Sequence, residues 1–293
     1  MNDSNKYNVT SQVINQAVDP KAGFSTFLFF SIAPRILIKF SATAFFILFT
    51  KTIFGQYCET IRTGRPGQAI GAFTVGKSVL QFQQGVDYYS IASQKYPPRA
   101  YVSDNVIRYG ILESVELSAL IDYQYENTKF DTNSLQSSGF SNLHLGFRVH
   151  INDQKGWIPT TGFQMRIKMP KVSNDYGANQ LATVMVFIAN WSLPMNMTLA
   201  SNWILSYNGN DPYPTGQYVL NFGFPIYNKL SGFFENYGQV SQGLFQTRID
   251  SGFAYLINDN VQLDFSTGYG NNQKIQDYFV STGISWRIAS LRK

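Results

Sequence analysis

Apolar and polar side chains alternate in three successive runs over the last 49 residues of the chain, Phe245 to Lys293. In the first run, residues 245–257, the odd positions carry large apolar or hydroxyl side chains, and the even positions are mostly polar, charged or small. The alternation restarts at 261–269 and at 278–288. Successive side chains of a strand point to opposite faces, so each run predicts a strand with one apolar face. These runs exceed the roughly 5–6 residues of an average soluble strand and approach the ~9–11 needed to cross a bilayer, which predicts a transmembrane β-barrel.

The same pattern extends back to residue 79 and predicts twelve strands. The predicted strands are residues 79–91, 101–111, 115–126, 142–152, 160–169, 180–191, 196–208, 217–226, 230–240, 245–257, 261–269 and 278–288. Tight and longer connections alternate, with a polar loop at 127–141 and one link, 241–244, that is shorter than the pattern expects. Outer-membrane barrels combine an even strand number with short periplasmic turns and longer outer loops. Residues 79–293 are therefore predicted to form an all-β, antiparallel, up-and-down transmembrane β-barrel of about 12 strands.

Ten charged residues on the eight best-patterned strands all fall on the face opposite the apolar one. They are Glu116, Asp122, Glu126, Arg148, Arg166, Lys168, Arg248, Asp250, Asp264 and Arg287. A charge facing lipid at mid-bilayer costs ~2–4 kcal/mol for Arg or Lys, which enforces this segregation in a barrel. A soluble β-sandwich has the same period with its apolar faces inside. Strand length and the number of large apolar residues favour the barrel.

Composition narrows the class further. Aromatic residues make up 16% of the chain and charged residues 14%, whereas a soluble protein carries about 25% charged residues. The mean hydropathy of −0.14 excludes a helical membrane protein but suits a barrel with half of its strand positions polar. Outside residues 1–56 the chain has 18 basic and 16 acidic residues, so no basic patch predicts a nucleic-acid partner. The lone Cys58 permits no internal disulfide and no metal cluster.

Residues 1–56 are predicted to be a polar leader followed by a signal peptide. The apolar stretch Phe40–Phe49 lies between Lys39 and Lys51 and is shorter than the ~18 residues of a spanning helix. Cleavage is expected near Gln56, and an uncleaved membrane anchor is the alternative. Residues 57–78 contain Gly and Pro without a period, which predicts a periplasmic lead-in segment. The pattern leaves open whether this segment plugs the barrel.

The lead-in and first strand resemble the outer-membrane barrels grouped as the "putative MetA-pathway of phenol degradation" family, often called outer-membrane transporters. In that family a T-D-R-P-x-Q segment precedes a V-x-K-G-x-x-Q-x-E run. The matching positions here are Thr63, Arg65, Pro66, Gln68, Val75, Lys77 and Gln81, and the departures are Gly64, Ser78 and Gln83. The resemblance implies an outer-membrane protein that passes small, hydrophobic or aromatic molecules.

Inward positions on the predicted strands define the candidate site. The predicted lumen-lining residues are Gln81, Asp87, Glu116, Asp122, His144, Arg148, His150, Arg166, Lys168, Arg248, Asp250, Asp264 and Arg287. The histidines with Arg148 either line a permeation path or bind an anion, or they belong to a hydrogen-bonded polar interior. The charges on the last three strands are expected to pair across the lumen, or to form a constriction that selects solutes.

These residues predict passive passage of small molecules through the outer membrane of a Gram-negative-type bacterium, with no cofactor or metal. The expected partners are membrane lipids, small-molecule solutes and the outer-membrane assembly machinery. A closed barrel with a structural or adhesive role through its outer loops is the main alternative. An outer-membrane hydrolase is the other, and it needs a nucleophile beside His144 or His150. Ser141 and His144 are three residues apart and would project to opposite faces of one strand.

Overall fold

The computed structural model describes residues 58–288, except 93–94, 132, 174–175, 177 and 273–274. Within these residues the chain forms twelve strands and one short 3-10 turn, Pro194–Asn196. The strands are β1 Leu80–Ile91, β2 Arg99–Leu112, β3 Val115–Lys129, β4 Ser134–Asn152, β5 Thr160–Lys168, β6 Ala182–Ser192, β7 Thr198–Tyr207, β8 Thr215–Tyr227, β9 Leu230–Ser241, β10 Leu244–Asn258, β11 Val261–Asn272 and β12 Ile275–Ile288. None of the helical segments in the described part of the chain could cross a bilayer.

Each strand pairs antiparallel with its neighbour in the chain, and β1 pairs with β12 to close the ring. The closing pair runs from Leu80 opposite Ile288 to Ile91 opposite Asp277 without a register shift. The predicted all-β, antiparallel, up-and-down barrel of twelve strands is confirmed.

Three predicted connections differ from the structure. At the β11–β12 connection, predicted between residues 269 and 278, β11 continues to Asn272 and β12 begins at Ile275. The predicted loop at 127–141 is wrong, because β3 continues to Lys129 and β4 begins at Ser134. One extra residue of β4, Ser141, lies opposite the step from Asp122 to Tyr123 and shifts the register of the pair. The short link at 241–244 is a two-residue hairpin, since Gln242 and Gly243 have φ values of 50° and 80°. Positive φ at both central residues matches the twist of paired strands, so no longer loop is needed.

The outward face of the barrel is apolar and exposed. Side chains near the middle of their strands, such as Phe187 and Trp203, are 59% and 61% exposed. Others on the outward face include Leu117, Leu145, Leu220, Phe234, Ile249, Phe253, Leu263, Phe265 and Ile284. An apolar surface of this extent is far larger than the few hundred Å² that soluble monomers tolerate, and it fits the lipid-facing band of a membrane barrel.

The segment Cys58–Val79, hereafter the inner segment, precedes β1 and lies inside the barrel. Sequence pattern assigned residues 57–78 to a periplasmic lead-in and left a plug open; the described part of that segment contacts inward-facing side chains. Ala72 and Val79 are fully buried. The segment has no period because its backbone groups bond to side chains of the wall and not to a strand or helix of its own.

Strand β6 is apolar on both faces, which the inner segment explains. Its inward residues Val186 and Ile188 form a buried cluster with Ala72 of the inner segment. Ile70, Val184 and Ile204 pack against this cluster. The outward face of β6 meets lipid and the inward face meets the inner segment, so neither requires polar residues.

Candidate functional site

The inner segment starts at the barrel end where the tight turns lie. The Arg287 guanidinium on β12 donates hydrogen bonds to the carbonyl oxygens of Cys58, at 2.7 Å, and of Glu59. The Ile61 amide donates to the carbonyl oxygen of Asp259 in the β10–β11 turn, at 2.7 Å. These bonds fix the point at which the chain enters the lumen.

Arg65 is the most highly connected residue of the inner segment. Its guanidinium lies 3.0 Å from Asp104, 3.3 Å from Asp264 and 3.6 Å from Asp87. It also donates to the Ser281 hydroxyl at 2.6 Å. Burial lowers the pKa of Arg65, but the surrounding carboxylates outweigh this effect and raise its pKa above the ordinary value. Arg65 is therefore a permanent cation that joins β1, β2, β11 and β12 through the lumen.

Room for Arg65 comes from two glycines on the inward face. A Cβ atom at Gly85 or Gly283 would overlap the Arg65 guanidinium. Gly85 and Gly283 are directly opposite each other in the β1–β12 pair. The wall is therefore shaped to receive this side chain.

Amide and carboxylate side chains of the wall bind the backbone of the next part of the inner segment. The fully buried Glu235 accepts hydrogen bonds from the amides of Gln68, at 2.7 Å, and Ala69, at 3.0 Å. Asn202 accepts from the Ile70 amide at 2.6 Å and donates to the Ile70 carbonyl oxygen at 2.9 Å. These bonds satisfy backbone groups that would otherwise be buried without partners.

A second ion cluster holds the last part of the inner segment. Glu116 accepts two hydrogen bonds of 2.8 Å from Arg108 and lies 3.6 Å from Arg148. It also accepts from the Val75 amide at 2.9 Å. Arg148 donates to the Gly71 carbonyl oxygen at 3.1 Å. Because the ion pairs are hydrogen-bonded on several sides, the cost of burying them is offset.

Many of the predicted lumen residues hold the inner segment. Gln81 donates to the Arg62 carbonyl oxygen at 3.1 Å, and His150 Nδ1 lies 3.2 Å from the Ala72 carbonyl oxygen. The predicted residues with contacts of this kind are Gln81, Asp87, Glu116, Arg148, His150, Asp264 and Arg287. Their side chains bind the inner segment and one another. The contacts described for them therefore hold the inner segment and do not line an open path.

The remaining predicted residues take no part in the contacts described for the inner segment. They are Asp122, His144, Arg166, Lys168, Arg248 and Asp250. Among the charges of β10–β12, Arg248 on β10 pairs with Asp277 on β12 at 2.7 Å and not with Asp250 or Asp264, and Asp264 pairs with Arg65 of the inner segment. Both carboxylate oxygens of Asp250 are buried, and Asp250 lies directly opposite Glu235 on β9, where the two carboxyl groups interact with each other.

Sequence reasoning missed several residues that bind the inner segment. Five of them lie on the wall, namely Asp104, Arg108, Asn190, Asn202 and Glu235, and a sixth, Arg65, belongs to the inner segment and binds the wall. For Arg65 a signal was available, since this residue lies in the motif that carries the family resemblance. For Asp104 and Arg108 the signal would have been their position on the inward face of β2. The sequence did not show which face that is, because β2 has too few apolar residues.

His144 and His150 were the candidate bases of a hydrolase site. The contacts given for His144 and His150 are with Asn142, the Ala72 carbonyl oxygen and Asp153. No serine hydroxyl is among these contacts. Nor does a group of three or more His, Cys, Asp or Glu side chains converge on a metal position in the described part of the chain.

Comparison with solved structures relates the fold to outer-membrane proteins. The COG4313 outer membrane channel from Pseudomonas putida F1 is 10% identical, with a TM-score of 0.59, over 76% of this chain and 99% of that one. The β domain of the Bordetella autotransporter BrkA is 10% identical, with a TM-score of 0.50, over 72% and 99% of the two chains. At these identities the likeness concerns the fold alone. A search of curated proteins found no match.

A family model matches most of the chain. The model is described as "Putative MetA-pathway of phenol degradation", and it covers residues 63–288. The matched region begins inside the inner segment and ends at the last residue of β12, so it includes the Arg65 cluster and the complete barrel. The chain belongs to this family of "Putative MetA-pathway of phenol degradation" proteins.

Proposed function

We propose that the protein is an outer-membrane channel for the passive passage of small molecules. The observation that carries this proposal is the combination of a closed barrel, an apolar outer face and a lumen lined by charged and amide side chains. A purely structural barrel needs no unpaired polar groups inside. Here buried nitrogen atoms of His144 and Arg166 have no hydrogen-bond partner among the described residues, which is expected where water and solutes fill the space.

The inner segment restricts the path in this proposal. Its contacts at Arg287, Glu116, Asn202 and Glu235 lie within five residues of the strand end nearest the tight turns. Arg65 reaches farther, to Asp87 and Asp104, seven and eight residues from that end. Asp122, Arg166 and Asp250 lie six to eight residues from that end, at the depth that Arg65 reaches. We infer a wider vestibule on the loop side, placed outside the cell, and a narrow periplasmic half that contains the inner segment.

The solute class proposed for this path is small aromatic molecules. The support is the description of the family, which refers to phenol degradation, and the similarity in fold to an outer membrane channel. A solute of this size needs only a gradient and a path, so no cofactor enters the proposal.

A closed barrel with a structural role is the second candidate, because the many bonds to the inner segment favour a permanent plug. Conductance of the full chain, isolated from outer membranes and placed in planar bilayers, separates the two. Discrete conductance steps whose ion selectivity changes in Asp250→Asn support the channel. A folded barrel that stays silent, both as the native chain and after Arg65→Gln loosens the inner segment, rejects the channel and supports the structural role.

A further inference from the structure

Two cations on β5, Arg166 and Lys168, differ from the other lumen cations. In the described part of the chain, neither forms an ion pair or a hydrogen bond with another residue. The other lumen arginines on strands each have an oxygen partner. These are Arg108 with Glu116, Arg148 with Gln164, Arg248 with Asp277, and Arg287 with the Cys58 carbonyl oxygen. The two charges on β5 are therefore available to a ligand.

Further unpartnered nitrogen atoms lie beside these cations. Arg166 Nε, His144 Nδ1 and Gln164 Nε2 are buried and have no hydrogen-bond partner in the described structure. Lys168 is directly opposite His144 across the β4–β5 pair. Arg166 is directly opposite Gly146, where a Cβ atom would clash with the Arg166 side chain. The absence of a side chain at Gly146 thus gives Arg166 room along the wall, next to His144.

The nearest carboxylates on β2 and β3, Asp104 and Asp122, attract these cations but form no ion pair with them in the described structure. Asp104 binds Arg65 at 3.0 Å, and Asp122 accepts a hydrogen bond of 2.7 Å from Asn142. The carboxyl group of Asp250, which interacts with that of Glu235, is on β10, five strands away from β5 in the ring of twelve. Unpartnered nitrogen donors therefore gather on the wall formed by β4 and β5.

We propose that Arg166, Lys168 and His144 form a binding site for the carboxylate of a small organic anion in the vestibule. This inference rests on the proposed channel function and names its solute class more closely. The planar guanidinium of Arg166 can donate two parallel hydrogen bonds to one carboxylate, which is the strongest neutralisation available to a buried arginine. Lys168 and a ring nitrogen of His144 donate to the remaining lone pairs. A neutral aromatic molecule offers no such acceptor and leaves the cations unpaired.

Calorimetry on the full chain in detergent micelles tests this site without requiring conduction. The probe is benzoate, and benzyl alcohol is the neutral molecule with the same ring. Benzoate is expected to bind, and benzyl alcohol to bind at least tenfold more weakly. Arg166→Gln and Lys168→Gln are each expected to weaken benzoate binding about tenfold or more, since a hydrogen bond to a charged group is lost. Arg166→Lys keeps the charge without the fork and is expected to fall between the native chain and Arg166→Gln.

Arg99→Gln is the matched control, because Arg99 is an exposed cation at the loop end of β2. Heat-modifiable migration on gels identifies the folded variants, and Lys168→Gln is read alone if the Arg166 variants do not fold. Equal binding of the two probes, or equal weakening by Arg99→Gln, overturns the site. Benzoate binding that needs Arg166 and Lys168 in a barrel that never conducts keeps the anion site and rejects the channel. Conductance steps without benzoate binding support the channel and reject the anion site.

Discussion

The Arg65 guanidinium lies 3.3 Å from the carboxylate of Asp264, a residue 199 positions later in the chain. Asp264 is on β11, and the same guanidinium reaches Asp87 on β1 and Asp104 on β2. One side chain of the inner segment therefore compensates three inward carboxylates of the wall. Removing it leaves those carboxylates close together in a low-dielectric lumen, where they repel one another.

Arg65→Gln is expected to loosen the inner segment and to increase the conductance of the barrel, with selectivity shifted toward cations. Three carboxylates then face the lumen without a counter-charge, and the segment loses its ion pairs with β1, β2 and β11. Planar-bilayer recordings with a salt gradient measure both effects. Arg99→Gln, which removes an exposed charge outside the lumen, should leave conductance and selectivity unchanged. An unaltered reversal potential in Arg65→Gln would contradict the assignment of these carboxylates to the path.

Glu116→Gln is expected to destabilise the barrel by about 3–5 kcal/mol, the usual cost of removing one partner of a buried ion pair. Glu116 is 1% exposed and binds Arg108, while Arg148 lies nearby. Unfolding by guanidinium chloride in micelles gives the change in free energy. The matched control is Asp131→Asn, because Asp131 pairs with Lys95 on the surface at 3.8 Å. Exposed pairs contribute ~0–1 kcal/mol. Similar losses of stability in both variants would show that burial of the Glu116 ion pair does not increase the cost of removing its charge.

Alternation along the chain was sufficient to predict the barrel, because lipid enforces it. Each outward position of β10–β12 must be apolar, so the period is strict and the strand number and order follow. The loop at 127–141 was predicted from its polar residues, but these residues continue β3 and begin β4, where the extra residue Ser141 reverses the phase of β4. A residue inserted into a strand cannot be distinguished from a strand end by period alone.

The contents of the lumen could not be predicted in the same way. Glu235 and Asn202 bind backbone amides of the inner segment, and a backbone amide is the same in every residue. The residue types of the inner segment therefore do not indicate these contacts. The apolar inward face of β6 was a usable signal, since Val186 and Ile188 require an apolar partner inside a barrel. That partner, Ala72, lies in the segment that has no period.

Phe187→Arg is expected to destabilise the folded barrel in lipid by ~2–4 kcal/mol, because Phe187 lies at the middle of β6 and faces outward. The comparison is Trp157→Arg, which changes a 91% exposed residue in the β4–β5 connection. Near the interface the same substitution costs ~0–1 kcal/mol. Reversible unfolding in phosphatidylcholine vesicles measures both variants. Equal costs at the two positions would mean that Phe187 does not face the hydrocarbon core.

Gly110→Ala is expected to displace the end of the inner segment and to cost about 1–3 kcal/mol of stability, as overpacking does in a close-packed interior. The Ser78 amide donates to the Gly110 carbonyl oxygen at 2.8 Å, and a Cβ atom at Gly110 would overlap the carbonyl oxygen of Gly76. The Cβ atom is bonded to the backbone and the Gly76 oxygen is part of it, so neither atom can move away as the end of a flexible side chain would.

Gly216→Ala is the control for Gly110→Ala, because a Cβ atom at Gly216 would meet no atom within 4 Å. Gly216 lies in β8, where alanine is preferred to glycine, so stability should hold or rise slightly. Guanidinium chloride unfolding gives the two free energies, and limited proteolysis of the folded barrel reports on the inner segment. Cleavage within residues 58–79 should accelerate in Gly110→Ala only. Because the inner segment touches the wall through backbone at Gly110, unchanged protection in that variant would show that the segment is held at its other contacts alone.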